Sequence, residues 1–219
     1  VNEKPKLDAN MKLKRSFEIL DLRAVNDEDK KVKRLDGHPA VYDTKTDIGG
    51  WYYEIIERGA FDECDFDDVL LCVNHETRKI PLARSRRNNA KSTMRIKPDN
   101  IGLYFEADLD TENNSEARQL YSSVERGDMQ GMSFIFVVKE ETWENLDKDM
   151  PTRRIKKIKK VYEVCAATFP YYESTDINAR DKQALDNAKL ALENARSQEL
   201  GNSKALDIYK LKNKILGGI

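Results

Sequence analysis

The chain has only two histidines, His38 and His75, among its 219 residues, so a mechanism that needs an imidazole must use one of these or none. Cysteine is nearly as scarce. Cys64, Cys72 and Cys165 lack a C-x-x-C spacing and sit in apolar or mixed runs, which argues against a disulfide framework and predicts reduced thiols in a cytosolic compartment. Scattered as they are along the chain, the cysteines and histidines form no closed zinc set, and neither a metal nor a cofactor is expected. Cys72 lies three residues before His75, a spacing that places strand side chains on opposite faces, so contact between them would need a bend. Long apolar runs are also missing. Residues 69–73 and 134–138 are strand-sized, well short of the ~20 residues that span a bilayer, and no secretory signal is visible; a soluble protein without a membrane partner is expected. Charge of one sign is absent too. With 38 Lys+Arg against 39 Asp+Glu, no global field favours nucleic acid, and the aromatics fall at core-like positions, which disfavours a nucleic-acid-binding module.

The length suits one domain with a hydrophobic core plus an appendage. Residues 1–14 are polar and Lys-rich and read as a flexible N-terminal arm. From residue 15 to about 175 the pattern is mostly β. Extended candidates are residues 17–25, 32–42, 51–56 and 69–73, with 26–31 as a turn. Residues 93–96 and 103–109 flank Pro98-Asp99-Asn100-Ile101-Gly102 as a hairpin. Residues 114–126 read as a helix, with Ala117, Leu120, Tyr121 and Val124 on one face and Gly127 as its left-handed cap. Residues 131–138 form a strongly β-prone strand, 139–160 a charged segment, and 161–168 a further strand stopped by Pro170. Residues 176–219 form a helical tail. Leu185, Ala188, Leu192 and Ala195 share a helical stripe, Gly201-Asn202-Ser203 interrupts it, and a second run passes through Ile208, Leu211 and Ile215. Such a tail either binds scaffold or another copy of itself, or packs back on its own domain.

His75 follows an apolar strand and is flanked by Asn74 and Glu76, which suits a ring at a sheet edge; His38, between Gly37 and Pro39, reads as a turn residue. A histidine after a strand is by itself more often structural than catalytic. Ser133 follows Gly131-Met132 and precedes an apolar strand, and its hydroxyl needs a neighbouring base to become nucleophilic. No G-x-S-x-G elbow is present.

The blocks GHPAVY (37–42), EIIERGAF (54–61), Asn74-His75-Glu76, Leu82-Ala83-Arg84, Gly102-Leu103, GDMQGMSFIF (127–136) and YEVCAATFPYY (162–172) occur in an order that resembles the HK97-type prohead proteases, tailed-phage relatives of the herpesvirus assemblins. The resemblance spans about residues 15–175. It implies an α+β fold with an assemblin-like β-barrel core, surrounding helices and the C-terminal helical tail. It also implies a serine endopeptidase that cuts scaffold or the scaffold-like extension of the major capsid protein, and itself, within the immature prohead in the host cytoplasm. Self-association into a homo-oligomer is expected. The chain starts at Val1 rather than Met, so self-processing is an expectation to test.

Carried over from the resemblance, the histidine is His75 and the nucleophile Ser133. For the third member Glu163 is chosen as the orienting acid, with a plain ion-paired strand residue as the other reading and His38 as the rival. Ile135, Ala83, Cys165 and Tyr171 depart from the family's usual residues, which bears on pocket shape more than on chemistry. Oxyanion stabilisation is assigned to main-chain N–H groups helped by Arg153 or Arg154, basic residues that otherwise read as a solvated edge strand. The alternative is a catalytically silent scaffolding or assembly protein of the same fold.

Overall fold

In chain order the elements are β1 (Leu13–Phe17), β2 (Arg23–Asp27), β3 (Val32–Val41), β4 (Thr46–Ile48), β5 (Tyr52–Ile56), β6 (Val69–Val73), β7 (Ala83–Ser85), β8 (Met94–Pro98), β9 (Gly102–Leu109), α1 (Ser115–Glu125), β10 (Gly131–Glu144), β11 (Thr152–Ala167) and α2 (Ala179–Leu216). The computed structural model describes residues 12–17, 21–27, 32–86, 92–168 and 179–216. Most of the arm, residues 1–11, and the 169–178 junction fall outside the described residues.

β11 organises a seven-stranded sheet. It is 16 residues long, enough to pair with β10 along one side and with two parallel strands in succession along the other. β5 pairs with its first residues, 152–155, and β6 with residues 163–166. Between residues 161 and 167 every position except Tyr162 is buried, as expected of a strand covered on both faces. β1 extends the sheet beyond β10, β4 beyond β5, and β7 beyond β6.

β2, β3, β9 and β8 form a separate four-stranded sheet. A Cβ at Gly102 would lie 2.1 Å from the Ala40 carbonyl oxygen and 2.7 Å from Val41 Cα, so this approach of β9 to β3 admits only glycine. The two sheets share one core. Leu35, Leu103 and Phe105 from the smaller sheet join Phe134, Ile155 and Val164 from the larger, each large apolar side chain contributing about 1.5–3 kcal/mol when fully buried. Phe134 and Phe136 stack within it at 4.4 Å.

Among the described residues no closed barrel forms, which corrects the expectation of a barrel core. Strands β1, β4 and β7 each keep a single ladder partner, and no ladder joins the two sheets. The fold is mixed α+β, mostly sheet with two helices.

The charged segment 139–160 also differs from expectation, because it forms the distal arms of the β10–β11 hairpin. Its charges pair along and across the strands, as with Arg153 to Glu141 and Arg154 to Glu144. α1 forms where predicted. Asn114 caps its first turn by accepting from the N–H of Glu116 and Ala117, its four expected apolar residues are buried, and Gly127 follows at φ +79.

The tail is one helix without the expected interruption at residues 201–203. A Cβ at Gly201 would meet nothing within 4 Å, so glycine there costs only its intrinsic ~1 kcal/mol of helix propensity. Near its middle the helix packs on its own domain. Leu192 is buried against Tyr52, beside Ile48, Trp143 and Leu146, and Arg196 donates to the carbonyls of Leu146 and Lys148. Further along, Leu200, Leu206 and Ile208 are exposed.

Candidate active site

Register brings the chemistry together. Ser133 on β10 faces Ser16 of β1 on one side and Cys165 of β11 on the other, and Cys165 in turn faces Cys72 of β6. Directly paired residues project from the same face of a sheet, and Glu163, two positions before Cys165, shares it by the period of two. Phe134 turns into the core, which leaves Ser133 on the opposite face.

His75 joins this row through a turn. After β6 ends at Val73, Asn74 and His75 both take left-handed backbone angles, φ +48 and +59. Asn and His are among the non-glycine residues found most often in that region, although such a conformation still costs about 1–3 kcal/mol. Bonds to β11 and the residue after it offset that cost. The N–H of Asn74 donates to the Ala166 carbonyl at 3.0 Å, the Asn74 side-chain oxygen accepts from the N–H of Thr168 at 3.1 Å, and the N–H of His75 donates to Cys165 Sγ at 3.0 Å. The chain thus bends directly after β6, and the bend carries His75 to β11.

The ring lies between a hydroxyl and a carboxylate. Its Nε2 is 2.8 Å from Ser133 Oγ, and its Nδ1 is hydrogen-bonded to Glu163 Oε1. An ionised carboxylate only accepts, so Nδ1 carries the proton and Nε2 presents its lone pair to the serine. The second Glu163 oxygen accepts from the Cys72 thiol at 3.5 Å. Ser133 is fully buried, and its hydroxyl also lies 2.8 Å from the Arg15 carbonyl oxygen. One hydroxyl hydrogen thus has two acceptors. Of the three cysteines, Cys64 is pushed up to about 12 by burial, and Cys72 is also raised, first by its hydrogen bond with Cys165 and then by burial.

The structure brings Glu163, not His38, to His75. His38 sits on β3 in the smaller sheet, its Nδ1 2.5 Å from Asp21 Oδ2 and its Nε2 2.9 Å from Asp99 Oδ2. The Asp21 hydrogen bond, then that of Asp99, raises its pKa against the effect of burial.

Arg153 and Arg154 are far from Ser133. Arg153 pairs with Trp143 near the β10–β11 turn, whereas Ser133 pairs with Cys165 at the other end of the hairpin. Arg153 is also buried and committed to Glu54 and Glu141, and β11 is a central strand, so neither the oxyanion role nor the solvated-edge reading fits it. Sequence reasoning missed Arg15, whose carbonyl touches Ser133 and whose buried guanidinium binds Glu54 at 2.5 Å. Its place in a Lys-rich segment gave no apolar signal.

A hydroxyl, an imidazole and a carboxylate hydrogen-bonded in that order form the constellation of a serine hydrolase. Residues 19–189 match the family described as Caudovirus prohead serine protease. The match covers most of the chain, which belongs to that family: a serine peptidase with a role in capsid maturation, placed inside the prohead of a tailed phage in its host cell. The chain is also similar to the solved capsid assembly protease gp21 of bacteriophage T4, with 10% identity and a TM-score of 0.41 over 73% of this chain and 99% of that one. No curated protein matches.

Proposed function

We propose that Ser133 is the nucleophile, His75 the general base and Glu163 the orienting acid of an endopeptidase that cleaves scaffold, or the scaffold-like extension of the major capsid protein, and itself. The observation that carries this reading is the continuous hydrogen-bonded chain from Ser133 through His75 to Glu163. His75 Nε2 takes the serine proton as Oγ attacks the scissile carbonyl, and the buried carboxylate stabilises the imidazolium that results. His75 then returns the proton to the leaving amine, and water releases the acyl group by the same steps. The oxyanion falls to main-chain N–H groups at this end of the sheet, each worth about 3 kcal/mol to the transition state. Because Ser133 is fully buried beside β1, a substrate carbonyl reaches Oγ only when a neighbouring segment gives way.

The test is co-expression with the phage's own capsid and scaffold proteins, wild type against Ser133→Ala and His75→Ala, with intact-mass analysis of every product. Fragments formed by wild type alone support the assignment and give the cleavage sequence. Equal cutting by both variants refutes it, and co-assembly without any cutting favours a silent scaffolding protein. Self-association is part of the same proposal and is read by light scattering.

A further inference from the structure

Cys72, Glu163 and Cys165 are far apart in the sequence but adjacent across β6 and β11, and their two sulfur atoms and a carboxylate oxygen all lie within 4.8 Å of one another. All three side chains are buried. Two thiols and a carboxylate are a donor set suited to zinc. A tetrahedral zinc, with Zn–S of about 2.3 Å and Zn–O of about 2.0 Å, sets sulfur and oxygen roughly 3.5 Å apart and two sulfurs roughly 3.8 Å apart. Cys72 Sγ and Glu163 Oε2 are already 3.5 Å apart, the spacing such an ion requires, and the remaining pairs need to close only from within 4.8 Å. Sequence spacing concealed this set, because parallel pairing of β6 with β11 is what makes Cys72 and Cys165 neighbours.

We propose that Cys72, Cys165 and Glu163 form a binding site for a thiophilic divalent cation, zinc first, and that occupancy of this site silences Ser133. The regulatory half rests on the function proposed above. Binding displaces the two thiol protons, gives each sulfur to the metal as thiolate, and takes Glu163 through Oε2 while Oε1 stays with His75. Three protein donors leave the fourth tetrahedral position to a water molecule carried in with the ion. Glu163 holds the His75 ring through Oε1, so a carboxylate drawn toward the ion through Oε2 shifts the ring from its place against Ser133. Cys165 Sγ also accepts from the N–H of His75, so the ion is connected to both the base and its acid.

The experiment uses the full chain under a phosphine reductant, which keeps Cys72 and Cys165 from forming a disulfide. Cobalt chloride is titrated first as a spectroscopic probe. One cobalt per chain is expected, with thiolate-to-cobalt charge-transfer bands in the near ultraviolet that zinc chloride abolishes. Cys72→Ser and Cys165→Ser should lose the bands, and Cys64→Ser, outside the cluster, should keep them. The wild-type spectrum needs no variant to fold, and Cys72→Ala provides a second one. In parallel, the rate of Ser133 labelling by a fluorophosphonate is measured with and without zinc in each protein. In wild type zinc should slow labelling about 5–150-fold, the usual size of coupling between two sites, and a chelator should restore it.

Absence of the bands in wild type overturns the site, as does their survival in both cluster variants or their loss in Cys64→Ser. Zinc that binds without slowing the labelling overturns the silencing. Failure of metal-free wild type to label at Ser133 would refute the proposed nucleophile instead, and the cobalt spectrum would still decide the metal site.

Discussion

The N–H of His75 donates to the sulfur of Cys165 at 3.0 Å, across 90 positions of sequence. That bond fixes the left-handed turn at the end of β6 to the central strand, and with it the direction of the imidazole. The His75 ring is therefore positioned by β11, the same strand that carries Glu163.

Removing the carboxylate while keeping its shape isolates its electrostatic role. Glu163→Gln should lower kcat about 10^4-fold with KM nearly unchanged, the size of effect seen when a triad loses control of its tautomer. Steady-state kinetics on a peptide taken from the mapped cleavage site would measure it. A loss expressed only in KM would assign Glu163 to substrate binding.

The His38 cluster predicts a stability optimum on the acid side of neutrality. Its imidazole pKa is raised above 6.5, first by the hydrogen bond to Asp21, so its contribution is complete below about 6.5 and is lost as pH rises through the folded value. Asp21 and Asp99 have lowered values: burial opposes the shift and hydrogen bonds to His38 outweigh it. Their contribution is present above about 3.9 and is lost as pH falls through the folded values. Thermal unfolding should show the highest Tm between these limits, and His38→Gln should flatten the decline above pH ~6.5. An unchanged slope in the variant would show that other groups set it.

Arg15, Glu54 and Arg153 form a buried ionic cluster. Glu54 bonds to Arg15 at 2.5 Å and to Arg153 at 3.1 Å, and the two guanidiniums hold its carboxyl below the usual range although burial pushes the other way. Glu54→Gln leaves buried Arg15 without its carboxylate and Arg153 with Glu141 alone, and should cost about 3–5 kcal/mol. Urea unfolding would measure this, and a loss below about 1 kcal/mol would mean that water reaches the cluster.

Gly102→Ala places a methyl group 2.1 Å from the Ala40 carbonyl oxygen. Backbone cannot yield as a flexible side chain does, so a loss above about 3 kcal/mol is expected in the same urea assay. A fully stable variant would show that β3 and β9 can separate locally.

The sequence revealed those parts of the fold whose signal is local. The spacing of Ala117, Leu120, Tyr121 and Val124 outlined α1, and Asp99 with Gly102 marked the β8–β9 turn. Its failures were long-range. Lys156, Lys157 and Lys160 hid the first half of β11 in a charged segment that read as an edge, because nothing local records its partners β5 and β10, whereas its second half was legible as the strand 161–168. The turn that carries the His75 ring to Glu163 was not legible from periodicity, which does not include the backbone angles at Asn74 and His75; an Asn-His pair just after a strand was the one local hint. Ser133, His75 and Glu163 were singled out through the resemblance of ordered blocks, and the structure brings their side chains into hydrogen-bonded contact. Arg15 and the pairing of Cys72 with Cys165 depend on register, which composition does not encode.

The order of strands along the chain also sets a timetable for synthesis. β5 and β6 reach the large sheet only through β11, and β11 follows β10 in sequence. A nascent chain that ends before residue 152 already contains Ser133 and His75 but has no Glu163 and no Cys165 to hold the turn. At roughly 5–20 residues per second, such a chain spends seconds on the ribosome with its hydroxyl and imidazole unassembled. The last strand made is the one that unites them, so an unfinished polypeptide carries the parts of a peptidase without being one.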